Sequence, residues 1–401
     1  MALEKYYPDA RNCMRCGYCR DIVAPGSMGS PVRDPFGIDG VCPVYHEKRF
    51  DHYTARGRMQ IVWGLLDGFF DYSPALAEHA YTCCGCSACT AVCWADAEKR
   101  GEEGIKTARI MRAMRQDVVD MGLGPPEPLK ARDALIDAQG NPFGKPKAER
   151  SNWAKGLGLP QKGELVFWAG CYAAYEYPEV AQAVVKVLRA AGSHVAYLGD
   201  KEGCCGMLEL WDGNRAKAKE RADSNVKALA EAGAKRLVVS CAECYDIFKN
   251  DYPELVGALP FDVVHTSQLF AQLLDEGKLK LGKPVNKKVT YHDACYLSRH
   301  NGIYEEPRKL LSSVPGLELV ETRRKEKYAL CCGSGADMLT TAFPDVGLAI
   351  AKRRAEELKE AADIVVTGCP RCLRNIAEGA KAQSLDLTAR DLAVVLAEAL
   401  P

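Results

Sequence analysis

The chain has 401 residues, 47% of them hydrophobic and 26% charged, which is enough apolar material for two or three globular domains. Its 53 basic residues balance its 53 acidic ones, so the composition excludes the strongly basic surface of a nucleic-acid-binding protein. The N-terminus lacks the apolar segment of a signal peptide, and the most apolar stretch, residues 61–70, is far shorter than a membrane span.

These features lead us to expect a cytoplasmic protein with no direct membrane span and no nucleic-acid partner. The 19 cysteines are then expected to bind metal, because disulfides are rare in a reducing cytosol. The spacing of these cysteines carries most of the functional information in the sequence.

Two groups of cysteines lie in the N-terminal quarter of the chain, and each contains three cysteines at intervals of three. Such short intervals let one tight loop aim three sulfurs at one small cluster. The pattern resembles the bacterial two-cluster ferredoxins, in which the fourth cysteine of each run ligates the other cluster. The resemblance implies two cubane [4Fe-4S] clusters, one held by Cys13, Cys16, Cys19 and Cys93, and the other by Cys83, Cys86, Cys89 and Cys42.

Two features depart from the ferredoxin pattern. A stretch of 22 residues, rich in Gly and Pro and predicted to form a loop, separates Cys19 from Cys42, and Trp94 stands where Pro is usual. A pair of zinc ribbons is the alternative, but ribbons use pairs of cysteines rather than triplets. Cys84 has no role in this scheme and is expected to be a small buried side chain.

Helices are predicted around these cysteines, at 54–66 and 105–121, because apolar residues recur there with helical spacing. Gly122 and the prolines that follow it are expected to end the second helix. Residues 1–124 would then form a helical ferredoxin-type domain. Residues 125–162, rich in Gly, Pro and charge, would connect it to the next domain.

Strands and helices alternate in the rest of the chain, and the order occurs twice. The first copy has predicted strands at 165–168, 194–198 and 236–240, with helices at 178–191 and 214–232. The second copy has predicted strands at 288–292, 317–320 and 364–367, with helices at 307–314 and 346–360. Such alternation predicts parallel α/β packing. We therefore expect an α+β multidomain fold, in which two α/β cysteine-rich domains, 163–282 and 283–401, follow the helical domain.

A five-cysteine pattern also occurs twice: a lone Cys, then Cys-Cys-Gly, then Cys-x-x-Cys, with the copies 124, 127 and 128 residues apart at the three elements. The lone Cys and the Cys-x-x-Cys pair follow predicted strands, where ligands gather in parallel α/β sheets. Thiolates in such numbers indicate zinc, Cu(I) or an iron–sulfur cluster, and a fifth thiol argues against structural zinc, which takes four ligands. The first set is Cys171, Cys204, Cys205, Cys241 and Cys244, and the second is Cys295, Cys331, Cys332, Cys369 and Cys372.

The duplicated pattern behind a two-cubane ferredoxin domain resembles the D-subunit type of heterodisulfide reductase, and the segment 291–299 around Cys295 matches that family. Iron–sulfur subunits of glycolate oxidase and of class II benzoyl-CoA reductase complexes are related to it. The resemblance implies a noncubane [4Fe-4S] cluster on each five-cysteine set and disulfide cleavage between the two clusters. It thus implies an oxidoreductase subunit that moves electrons between two cubane and two noncubane clusters.

Two functions fit this resemblance. The chain would reduce a disulfide or oxidise thiols at the second pair of clusters, or it would be a non-catalytic electron hub. As a hub it would link a flavoprotein, ferredoxin or quinone-reactive partner to another catalytic subunit, such as an acyl-CoA or benzoyl-CoA reductase. No flavin or nicotinamide fingerprint is visible, so electrons are expected to enter from a partner subunit, and a link to quinone or to the membrane would also need one.

His292 is the candidate catalytic residue, since it is the only histidine beside a cluster cysteine. It would donate a proton to a departing thiolate, or it would only pack and hydrogen-bond beside the site. Arg299 would hold either an anionic group of the substrate or a carboxylate of the protein. The sequence does not separate these alternatives.

Overall fold

The computed structural model of the protein describes residues 1–20, 41–93, 95 and 104–401. The loop predicted between Cys19 and Cys42 and the position of Trp94 lie outside the described residues. The fold is α+β, as predicted: a helical N-terminal domain precedes two α/β units, each built on a four-stranded parallel sheet.

The N-terminal domain packs two longer helices, α3 and α6, around an apolar core. Helix α3 begins where the Thr54 side chain accepts a hydrogen bond from the backbone N–H of Gly57, and Met59 and Val62 then face Ile110 of α6. The two helices predicted in this region are confirmed. The helices of the described part are α1 Tyr7–Arg11, α2 Pro43–Lys48, α3 Ala55–Leu66, α4 Pro74–Tyr81, α5 Ala88–Ala91 and α6 Thr107–Asp120.

The connection expected over 125–162 is not a bare loop, because it contains helix α7, Glu127–Gln139. Proline is tolerated in the first turn of a helix, so the run of prolines that suggested a loop is compatible with α7 beginning there. Leu129 and Ile136 are fully buried, and Arg132 forms an ion pair with Asp212. Helix α7 therefore packs against the rest of the protein.

Each α/β unit has the same parallel sheet. The strand order is β2-β1-β3-β4 in the first unit and β6-β5-β7-β8 in the second, so β1 corresponds to β5 and β3 to β7. The duplication predicted from the cysteines is thus also a duplication of topology. The strands are β1 Leu165–Trp168, β2 Ala196–Tyr197, β3 Arg236–Val239, β4 Asp262–His265, β5 Lys287–His292, β6 Leu317–Leu319, β7 Ile364–Thr367 and β8 Thr388–Asp391.

Helices cover both sheets and join the two units. Helix α19 (Leu392–Glu398) packs on α9 (Pro178–Ala190), and α14 (Thr266–Asp275) packs on α15 (Glu305–Ser312). A single apolar cluster therefore runs from one unit to the other. A π-helical turn over Ile247–Asp251 separates α12 from α13. No helix in the described part of the chain is long and apolar enough to cross a lipid bilayer.

The helices of the first unit are α8 Gly170–Tyr175, α9 Pro178–Ala190, α10 Met207–Trp211, α11 Arg215–Glu231, α12 Ala242–Asp246, α13 Tyr252–Val256 and α14 Thr266–Asp275. Those of the second are α15 Glu305–Ser312, α16 Met338–Ala342, α17 Pro344–Ala361, α18 Pro370–Lys381 and α19 Leu392–Glu398.

Candidate metal centres

The five cysteines of the first unit meet at the carboxyl ends of β1 and β3. Cys241 caps the start of α12, as expected for a Cys-x-x-Cys pair that opens a helix, and Cys244 lies in its first turn. Cys244 Sγ lies 3.4 Å from Cys205 Sγ. Hydrogen bonds from Cys204 and Cys244 lower the pKa of Cys205 to about 5, which favours a thiolate there. The thiols contact one another in the order Cys171, Cys204, Cys205, Cys244 and Cys241.

The second unit repeats this arrangement. Cys369 caps the start of α18, and the backbone N–H of Gly333 donates to Cys331 Sγ over 3.4 Å. Gly333 has a φ of +90°, which permits the tight turn after the adjacent cysteine pair. Hydrogen bonds from Cys295 and Cys332 hold the pKa of Cys331 well below its usual range. The contacts run in the order Cys295, Cys331, Cys332, Cys372 and Cys369.

The two sets touch at the middle of the molecule. The thiol of Cys241 hydrogen-bonds Cys369, which joins the ten sulfurs into one continuous series. Beside this contact, Arg371 Nε donates to Glu243 Oε2 over 2.7 Å, and both side chains are buried. Glu243 and Arg371 occupy the same position in their two Cys-x-x-Cys pairs. The sequence patterns did not point to them, although their opposite charges show when the two pairs are aligned.

The structure brings the cysteines of the N-terminal domain close together in two neighbouring groups. A cavity of about 20 Å³ is lined by Cys42, Cys83, Cys86 and Cys89, which is the second predicted set, and also by Cys84. Cys13 has Cys93 and Cys16 as electrostatic neighbours, while its burial is the main cause of its raised pKa. Cys19 accepts a hydrogen bond from the backbone N–H of Arg56 and is close to both Cys13 and Cys42.

Cys84 is buried, as expected, but its thiol is not isolated. The sulfurs of Cys84, Cys86 and Cys331 lie within 4.8 Å of one another, and the Cys84 thiol hydrogen-bonds Cys331. The ferredoxin-type domain therefore meets the second α/β unit at a contact between cysteines. No spacing rule predicts this, because Cys84 and Cys331 are far apart in sequence.

Arg299 spans the same contact. Its Nε donates to the carbonyl of Cys86 over 2.7 Å, and its Nη1 donates to the carbonyl of Ala329 over 2.6 Å. Of the two alternatives for Arg299, a protein carboxylate is not among its hydrogen-bond partners in the described part of the chain, since these bonds go to backbone carbonyls. Arg299 places positive charge near Cys86, Cys295 and Cys331 instead.

His292 lies inside the second set. Its Nδ1 accepts a hydrogen bond of 3.1 Å from Arg354 Nε, and a ring nitrogen lies within 4.8 Å of the sulfurs of Cys332 and Cys372. Burial, aided by Arg354, lowers the pKa of His292 to about 3, so the ring is neutral at neutral pH. A neutral ring is a weak acid, and this geometry favours a hydrogen-bonding role over proton donation.

The donor sets fit iron–sulfur clusters better than zinc. Each α/β unit supplies five contiguous thiols, one more than the four ligands of structural zinc. The N-terminal cavity is lined by the four cysteines that one cubane needs. Clusters held there would supply one-electron transfer.

Comparisons with known proteins agree with this domain order. Residues 9–97 match the family model described as a 4Fe-4S dicluster domain, and residues 165–249 and 289–377 match the model described as a cysteine-rich domain. The chain is 34% identical over 97% of its length to the D subunit of the dihydromethanophenazine:CoB–CoM heterodisulfide reductase of Methanosarcina barkeri, covering 93% of that protein.

Two further relatives are named for other redox reactions. The chain is 32% identical to the B subunit of the fumarate reductase (CoM/CoB) of Methanothermobacter marburgensis, covering 87% of this chain and 68% of that protein. It is 31% identical to an EtfAB:quinone oxidoreductase of Syntrophomonas wolfei, covering 82% of this chain and 48% of that protein.

Proposed function

The chain belongs to the family of heterodisulfide reductase D subunits, and on this basis we propose that it is the iron–sulfur electron-transfer subunit of a larger redox complex. In this proposal the N-terminal domain holds two cubane clusters, on the crossed cysteine sets given above. Each α/β unit holds a noncubane cluster on its five cysteines. The single observation that supports this best is the unbroken series of ten thiols that reaches the ferredoxin-type domain through Cys331.

The contacts between cysteines suggest an order of electron flow. Cys86 adjoins Cys331, so the N-terminal domain exchanges electrons with the second unit before the first. The second unit then exchanges electrons with the first where Cys369 meets Cys241. A partner protein, such as a flavoprotein, a ferredoxin or a quinone-reactive protein that reaches the membrane, exchanges electrons with the N-terminal domain.

We further propose that the paired units carry disulfide chemistry. The balanced reaction takes one disulfide, two electrons and two protons to two thiols, with the electrons supplied one at a time by the partner protein. A cleft of about 540 Å³ opens beside the paired units and is lined by Tyr172, Asp337 and Arg374. Tyr172 and Asp337 both contact Arg371, which belongs to the second Cys-x-x-Cys pair and donates to Glu243 of the first.

A non-catalytic hub is the second candidate, and the burial of the cysteines favours it. Nine of the ten cysteines in the two units are buried, and only Cys171 is partly exposed. A hub needs buried, closely spaced centres, whereas disulfide cleavage needs access to sulfur. In the hub, the same series of thiols would join a partner to another catalytic subunit.

Iron analysis tests the cofactor part of the proposal. Protein prepared and reconstituted without oxygen should contain about 16 iron atoms per chain and little zinc, since four four-iron clusters are proposed. About half that iron, with stoichiometric zinc, would contradict clusters in the α/β units.

A thiol titration followed by EPR separates the enzyme from the hub. Thiols added to the oxidised protein should change only the signals of the α/β units if these units carry disulfide chemistry. The same titration on Cys205→Ser and Cys332→Ser variants identifies which unit responds. Normal electron transfer between the native partners without any response to thiols would contradict the disulfide chemistry and support the non-catalytic hub.

A further inference from the structure

The two units present equivalent side chains to their cysteine sets. Strand β1 ends at Trp168 and β5 ends at His292, each three residues before the lone cysteine of its unit. Trp168 pairs with Val239 and His292 with Thr367, and both partners stand two residues before a Cys-x-x-Cys pair. Trp168 and His292 therefore occupy the same place in the fold.

Both residues end in a buried nitrogen that has no partner among the described residues. The exposed fraction is 0% for Trp168 and 1% for His292, and neither Trp168 Nε1 nor His292 Nε2 makes a hydrogen bond. Arg354 donates to His292 Nδ1, so the neutral ring carries its proton on Nε2. Each nitrogen is thus a donor, and a buried donor left unpaired is destabilising.

Each donor is close to cluster cysteines. A ring nitrogen of His292 lies within 4.8 Å of the sulfurs of Cys332 and Cys372. In the first unit, a Cβ placed on Gly170 would lie 3.2 Å from Cys244 Sγ and 3.9 Å from Trp168 Nε1. Gly170 has a φ of +73° and no side chain, so it leaves a space bordered by the indole N–H and the sulfur.

We propose that Trp168 and His292 each donate an N–H hydrogen bond to sulfur of the cluster in their own unit, and that these bonds set the reduction potentials of the two centres. The inference rests on the proposed function, since it requires clusters in both units. A hydrogen bond to a cluster sulfur stabilises the more negative, reduced state and raises the potential. Neither side chain is a cluster ligand, because cysteine thiolates supply the ligands. Both are positioning residues.

The experiment is a redox titration of the anaerobic, reconstituted full chain, followed by EPR with iron analysis of every sample. Trp168→Phe and His292→Leu each replace the donor side chain with an apolar side chain of similar bulk. At the wild-type midpoint, the ratio of reduced to oxidised cluster in the altered unit should fall about fivefold, which corresponds to the loss of one hydrogen bond of ordinary strength. The signal of the other unit should not move.

Two matched variants control for packing. Trp153 is also a buried tryptophan, but it packs on the rings of Phe167 and Tyr197, so Trp153→Phe should leave both titrations unchanged. His292→Gln supplies a neutral N–H and should restore the ratio to within about twofold of the wild type, since it replaces the bond.

Unchanged titrations in Trp168→Phe and His292→Leu at full iron content would overturn the inference while leaving the proposed function intact. Loss of iron in these two variants would also overturn it, because it would give the side chains a supporting role other than donation to a bound cluster. Wild-type protein without iron in the α/β units would instead defeat the proposed function.

Discussion

The side chain of Arg371 makes several buried contacts. Besides Glu243, its guanidinium pairs with Asp337 over 2.8 Å, donates to the Tyr172 hydroxyl over 2.9 Å, and lies over the Tyr172 ring. A buried ion pair gains little net stability compared with a well-packed apolar pair, but the loss of one partner leaves a charge stranded. Arg371 and Glu243 are thus best understood as fixing how the two units meet.

Removal of one charge should be costly. We expect Glu243→Gln to destabilise the holoprotein by about 1–3 kcal/mol, because it weakens a buried charged hydrogen bond while Arg371 keeps its ion pair with Asp337. The double variant Glu243→Met, Arg371→Met should recover part of that loss, although Asp337 then lacks its own partner. Thermal unfolding of anaerobic protein measures the order of stability, and a Glu243→Gln variant as stable as the wild type would contradict this account.

The crossed ligation gives a second prediction for single residues. Cys93→Ser should damage the cluster held by Cys13, Cys16 and Cys19, although Cys93 is closer in sequence to the other triplet. Cys84→Ser should keep the full iron content, because Cys84 belongs to neither predicted set. Iron analysis and EPR check both, and loss of a cluster in Cys84→Ser alone would mean that the ligand assignment is wrong.

Helices α17 and α18 show how closely two elements approach near the second cysteine set. A Cβ on Gly379 of α18 would lie 2.5 Å from the carbonyl carbon and oxygen of Ala351 in α17. Such a distance forces the backbones apart. The glycine therefore permits a helix contact that any other residue would widen.

Gly379→Ala should accordingly lower stability by about 1–3 kcal/mol through overpacking, although alanine is the better helix former. Ala377→Gly, two residues earlier in α18, is the matched control and should cost only about 1 kcal/mol through helix propensity. Chemical denaturation of both variants gives the comparison. A stabilised Gly379→Ala would show that the two helices separate without cost.

At the scale of elements, the sequence predicted the inner strands and missed those at one edge of each sheet. Strands β1, β3 and β7 are mainly apolar and lie between neighbours, so burial on both faces leaves a continuous hydrophobic signal. The strand Thr388–Asp391 lies at an edge and contains only one apolar residue. The cysteine sets followed from spacing alone, whereas contacts such as Cys84 with Cys331 depend on how the domains dock.

At the scale of the whole molecule, buried polar contacts join the two α/β units. His265, at the end of β4 in the first unit, donates from Nε2 to the carbonyl of Gly368 in the second over 3.0 Å. Its Nδ1 accepts from the backbone N–H of Ser267 over 3.1 Å and caps α14. His265 is fully buried, and burial lowers its pKa to about 4.

Acid should therefore destabilise the fold. The unfolded chain binds a proton at His265 near pH 6.5 and the folded chain only near pH 4, so unfolding takes up a proton between these values. Stability should fall by about 1.4 kcal/mol per pH unit through this window from His265 alone. Denaturation at several pH values tests this, and His265→Asn, which keeps a capping oxygen without titrating, should show a shallower slope.

The complementary charges at the two Cys-x-x-Cys pairs bear on how the chain arose. If the two units descend from one ancestral unit that assembled as a symmetric dimer, equivalent positions on the axis would have held identical side chains. Two glutamates or two arginines would have faced each other in that buried space and repelled. Glu243 and Arg371 therefore require two units that differ at this position, which a symmetric dimer of identical units cannot supply. On this account the ion pair in its present form arose after the two copies diverged, and a change in one half now alters the buried charge that the other half faces.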